Sequence, residues 1–105
     1  MTRENQTVNH DTISYAIRSK QLLTFLYQGG YRFVEPYCYG ENDSNKKLLI
    51  GYQVRGYSQS SNSTGWKVYN VDEIVGLFIS SQTFKAKQNE ALQLEHGVKQ
   101  VYCSV

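Results

Sequence analysis

At 105 residues and a net charge of +2, the chain fits one domain with one modest core, and it is too mildly basic for charge alone to name a nucleic-acid partner. No apolar run approaches the roughly 18 residues of a membrane span, and the polar start MTRENQTVNHDT has no apolar signal region, so the expectation is a cytoplasmic protein with no membrane partner. Cys38 and Cys103 show no zinc spacing and are expected as free, half-buried thiols; no metal or other cofactor is implied.

Residues 1–8 are polar and expected to fray. Asn9 and Asp11 are N-cap candidates, and Ile13, Ala16 and Ile17 recur at helical spacing, which predicts a short helix over residues 10–20. Arg18 and Lys20 fall near its C-terminal end, where the helix dipole favours cations. One such helix cannot bury its face alone and must lie on a sheet or plug a barrel.

A first strand is expected over residues 22–27, followed by a hairpin signal at Gln28-Gly29-Gly30, where Gly-Gly readily supplies positive φ, and a second strand over 31–39. Alternation there puts Tyr31, Phe33, Glu35, Tyr37 and Tyr39 on one face and Arg32, Val34, Pro36 and Cys38 on the other. Pro36 has no N–H to donate and predicts an edge or a bulge. The third strand, 48–57, sets Leu48, Ile50, Tyr52 and Val54 against a face of Leu49, Gly51, Gln53 and Arg55, whose polar members would line a groove. A Ser/Asn/Thr loop over 58–64 leads to a fourth strand over 66–71. Asp72 and Glu73 suggest a one-turn cap, with Asp72 as the capping residue, before a fifth strand over 74–83. Residues 85–95 read as polar and weakly helical, and 98–105 as a packed strand or a short turn of helix.

One helix and about five short strands in roughly 70 residues predict a mainly β domain built as a small, strongly bent barrel in up-and-down order, since a sandwich needs more strands. The chain is read as one domain, 1–105, with a core over 12–84 and a C-terminal extension over 85–105. Catalysis is not expected. His10 and His96 have no Cys or acid at ligand spacing, and no nucleophile elbow, P-loop or H-E-x-x-H is present.

The order AIRSKQLLTFLYQGGYRFVEPYCYG, then KKLLIGYQV, then GWKVYNVDEIVGLFISSQTF resembles a WYL domain over residues 12–84. The matching positions are Ala16 and Ile17, Tyr27, Arg32, Val34 with Glu35 and Pro36, Gly51 with Tyr52, Asp72 and Ile74. There are departures. The tripeptide that names the family is Lys47, Leu48 and Leu49; Lys67 and Tyr69 replace an Arg and a Phe; Glu73 replaces a basic residue. The winged helix-turn-helix that many members carry is absent from this sequence, so the resemblance implies a stand-alone sensing module. It also implies an Sm-like, SH3-like β-barrel that binds an anionic ligand, a nucleotide or single-stranded nucleic acid, and that regulates transcription or a bacterial or phage-defence system. A homodimer, or a separate DNA-binding or effector protein, would be its partner.

The residues are compatible with that chemistry. Arg32 has a planar fork suited to phosphate, and Lys67 supplies a point charge. Tyr31, Phe33, Tyr37, Trp66 and Tyr69 are stacking candidates. Ser58, Ser60 and Ser61 can donate hydroxyls, and Gln53 and Arg55 would line the groove. The expected ligand site is therefore Arg32, Gln53, Arg55, Ser58, Trp66, Lys67 and Tyr69. Plainer readings stand beside it: Arg32 in a surface pair with Glu35, Lys67 as a solvated strand residue, Trp66 as a core or lid residue. The alternative function is a protein-interaction or self-assembly module, served by open strand edges and an exposed Tyr face.

Overall fold

One helix, α1 (Thr2–Ser19), packs on a six-stranded antiparallel sheet of β1 (Gln21–Tyr27), β2 (Gly30–Glu41), β3 (Lys47–Gly56), β4 (Gly65–Asn70), β5 (Val75–Thr83) and β6 (Gln100–Ser104). The structure is a computed structural model and describes residues 2–58, 63–86 and 97–105, with side chains from Asn9 onward. The expected helix over 85–95 falls almost entirely outside those residues, as do Ser60, Ser61 and His96.

The helix starts at Thr2, well before the expected residue 10. Apolar spacing marks only the part of a helix that packs, so a polar extension leaves no such signal. The packed part is Ile13, Ala16 and Ile17, all fully buried. Lys20, at φ 55, turns the chain out of the helix into β1.

The strands run in the order β4-β3-β2-β1-β5, and β6 adds to β2. The first hairpin turns on Gln28 and Gly29, both at positive φ, with Tyr27 opposite Gly30. The expected turn, Gln28-Gly29-Gly30, contains both residues. Gly30 is instead a strand residue whose missing side chain makes room for Tyr57: a Cβ there would lie 2.2 Å from the Tyr57 Cβ.

β2 is the central strand and carries three partners. Its first half pairs with β1, its end pairs with β6 on the same side, and β3 runs along the other side. Pro36 lies between the last β1 pair, at Val34, and the first β6 pair, at Cys38, where no ladder bond is lost by its missing N–H. A bulge between Pro36 and Cys38 inverts the alternation. Arg32, Val34 and Pro36 therefore share the inner face with Tyr39, which lies opposite Leu49, while Cys38 moves to the outer face opposite Ile50. This corrects the expected division of the strand. The inner face and α1 enclose the core, with Leu23, Phe25, Val34, Tyr39, Leu49 and Tyr69 among its members.

A one-turn 3-10 helix (Val71–Glu73) joins β4 to β5. Asn70, not Asp72, is its cap: the Asn70 side chain accepts from the Asp72 N–H at 3.2 Å. The turn carries β5 onto β1, at the far end of the strand order from β4. The ladder thus stays open among the described residues, and the closed barrel expected from sequence is not formed. The last segment, undecided between strand and helix, is a strand that joins β2 of its own chain. Cys38 and Cys103 are free thiols, Cys38 buried and Cys103 partly so. No helix among the described residues is long and apolar enough to cross a membrane.

Candidate anion site

Strand register sorts the seven expected site residues between two faces. Arg32, Gln53, Lys67 and Tyr69 fall on the inner face of β2, β3 and β4, with Ser58 just beyond the end of β3. Arg55 and Trp66 fall on the outer face. Arg55 is exposed, and its guanidinium carbon sits 4.2 Å from the centre of the Phe33 ring. Trp66 is half-buried against Tyr37 and Tyr52, with ring centres 4.7 and 5.4 Å away. The sheet separates these two from the rest of the expected site.

Arg32 is the centre of the inner group. It is 4 % exposed. One terminal nitrogen donates to the Tyr27 carbonyl at 2.9 Å, and the other donates to Gln53 Oε1 at 3.4 Å. The guanidinium carbon lies 5.2 Å from the centre of the Tyr27 ring and 5.4 Å from that of Tyr57. Its Nε is buried and has no hydrogen-bond partner, and no carboxylate pairs with the side chain among the described residues. The plainer reading, a pair with Glu35, is not formed: strand alternation puts Glu35 on the outer face opposite Tyr52, where it accepts from the Tyr37 hydroxyl. A buried cation normally costs several kcal/mol unless a counter-charge is supplied. Here two aromatic rings and neutral acceptors carry that burden.

Gln53 does not line an open groove, because it is fully buried. Its Oε1 accepts from the Tyr69 hydroxyl at 2.7 Å as well as from Arg32, and its Nε2 donates to the carbonyls of Tyr57 and Ser63, both at 2.9 Å. Tyr69 is a core residue. Burial raises its hydroxyl pKa, against the opposing pull of Arg32. Lys67 Nζ donates to Ser58 Oγ at 3.3 Å, which joins β4 to the chain leaving β3. A shallow polar recess lies elsewhere, at the turn between β2 and β3, and contains none of the expected site residues.

No protein-family model matches the chain, and no curated protein matches it. The fold is similar to part of proteasome accessory factor B/C (PafBC) of Arthrobacter aurescens. The match has a TM-score of 0.66 at 17 % identity and covers 84 % of this chain. This chain spans 14 % of that one. At that identity the likeness shows a shared fold.

Within the sheet, sequence reasoning missed two members of the inner group, Tyr27 and Tyr57. The signal for Tyr57 was present but indirect. Gly30 and Gly56 (φ +117) are the positions where the hairpin and the end of β3 approach too closely for a side chain. Tyr27 was marked only as a matching position at the end of the first strand, and the folded sheet places its ring beside Arg32.

Proposed function

We propose that this chain is a ligand-sensing regulatory module that receives an anionic ligand, a nucleotide or single-stranded nucleic acid, at Arg32 on the inner sheet face. The single observation behind the reading is the buried guanidinium with no carboxylate partner among the described residues and an unpaired Nε. Such a group is electrostatically incomplete, and an arriving phosphate would supply the missing charge and acceptor. Lys67, joined to Ser58 on the same face, adds a second cation toward the loop. The WYL-like fold is consistent with a regulatory role and with a non-catalytic one.

The test is fluorescence anisotropy with labelled single-stranded DNA and RNA at low and physiological salt. Wild type is compared with the Arg32→Ala/Lys67→Ala double variant and with Arg32→Lys, all checked by thermal melts. The expected result is binding that weakens with salt and is lost in the double variant. Arg32→Lys keeps charge but not the planar fork, and is expected to bind more weakly than wild type. Equal affinity in wild type and the double variant would remove this face from the site. Absence of oligonucleotide binding throughout moves the test to free nucleotides and inorganic phosphate by thermal shift.

A second reading, self-association, is favoured by β5. This edge strand contains no charged residue, and its Val75 and Phe78 are 60 % and 59 % exposed. Edge strands of monomers usually carry a charge or a proline. If β5 self-associates, sedimentation shows a concentration-dependent dimer that Phe78→Lys abolishes. A monomer at every concentration excludes it.

A further inference from the structure

We propose that Tyr57 is the gate of the Arg32 site, a reading that rests on Arg32 as the anion receptor. Of the described side chains that touch the guanidinium, Tyr27 and Gln53 are buried, and Tyr57 alone is exposed, at 45 %. The way from solvent to the guanidinium therefore runs past the Tyr57 ring.

The backbone of Tyr57 is held on both sides. Its N–H donates to the Tyr31 carbonyl at 2.8 Å, and its carbonyl accepts from Gln53 Nε2 at 2.9 Å. The side chain is held differently. It packs against the first hairpin, its Cβ 2.2 Å from where a Gly30 Cβ would stand and its Cε2 3.8 Å from that of Gly29. Its hydroxyl makes no hydrogen bond among the described residues. A ring held only by a glycine surface and by a cation can rotate about its own χ angles without breaking a backbone bond. Rotation uncovers one face of the guanidinium. The ligand then replaces the Tyr57 ring as partner of Arg32, while Tyr27 and Gln53 keep the guanidinium in place.

The gate is opened by removing the ring, with Tyr57→Ala and, keeping a polar side chain at this exposed position, with Tyr57→Ser. Tyr57→Phe keeps the ring and serves as the closed control.

The experiment reads the gate without any ligand. The full chain is labelled with the arginine-selective reagent phenylglyoxal, and modification of Arg32 is followed by peptide mass spectrometry relative to exposed Arg55. Amide exchange at Leu23 and Phe25 confirms that each variant is folded. The expected result is a rise of about tenfold or more in the Arg32/Arg55 ratio for Tyr57→Ala and for Tyr57→Ser, with Tyr57→Phe at the wild-type value. An unchanged ratio in a folded Tyr57→Ala or Tyr57→Ser protein overturns the gate. Oligonucleotide and phosphate binding are measured in the same proteins. Faster labelling with no binding in any of them retains the gate and rejects the anion-ligand reading; binding with unchanged labelling does the reverse.

Discussion

Gln53 uses every hydrogen-bonding group of its side chain inside the protein, with two donors to its oxygen and two acceptors for its nitrogen. It is the common partner of β2, β4 and the chain on both sides of the loop. Gln53→Leu keeps the volume but leaves the Tyr69 hydroxyl and the carbonyls of Tyr57 and Ser63 without their partner. The expected loss is about 3 kcal/mol in urea unfolding, since each buried polar group left unpaired costs roughly 1–3 kcal/mol. The opposite outcome is expected at Thr24. Its hydroxyl is buried and has no hydrogen-bond partner, and β1 accepts a β-branched residue there. Thr24→Val removes the orphaned oxygen at nearly equal volume and is expected to stabilise by about 1 kcal/mol in the same assay.

Among the elements, β2 makes the architecture by bending. Pro36 falls in the gap between two partner strands, and the bulge that follows re-aims Tyr39 into the core. Gly40 lies where β6 closes onto β2: a Cβ there would stand 2.3 Å from the Gln100 carbonyl oxygen and 2.5 Å from a Val98 methyl carbon. The β6 strand is otherwise held by Tyr102, whose ring packs on Tyr39 and His10 and whose hydroxyl donates to Glu41, and by Cys103, whose thiol lies near the Ser14 carbonyl. Gly40→Ala is expected to loosen β6 without unfolding the rest of the sheet. Hydrogen exchange would show faster exchange for amides in β6 and unchanged protection in β1; equal acceleration of both would mean that β6 and the core open as one unit.

For the molecule as a whole, buried tyrosines predict an alkaline limit. Burial pushes the Tyr39 hydroxyl up to about 12, with Tyr102, Asp72 and Glu41 adding to the effect. Burial also raises Tyr69. An unfolded tyrosine ionises near pH 10. Above about pH 10 the unfolded chain therefore releases protons that the native protein retains, and stability falls as pH rises toward about 12. Below about pH 10 both states keep these protons and the contribution is fully present. Thermal midpoints measured from about pH 8 to 12 are expected to fall most steeply above 10, and Tyr39→Phe is expected to flatten that fall. An equally steep fall in Tyr39→Phe would assign it to other groups.

Local patterns in the sequence were enough to determine the mainly β class, five of the six strands to within about two residues, and the packing face of α1. Those features depend on neighbours in the chain: apolar periodicity, the glycines of the first hairpin, and the proline that announced a bulge. The choice of Arg32 was also legible, but its environment was not. That the guanidinium meets Gln53 depends on how β2 pairs with β3, and one bulge changes the face of every residue beyond it. The same applies to Trp66 and Arg55, which the sequence groups with Lys67 and the sheet places on its other side. Closure is the other property that only the tertiary structure decided. Alternation says that a strand has an inner face, but not whether β4 and β5 meet, because that depends on how far β2 bends and on where the 3-10 turn after Asn70 delivers the chain.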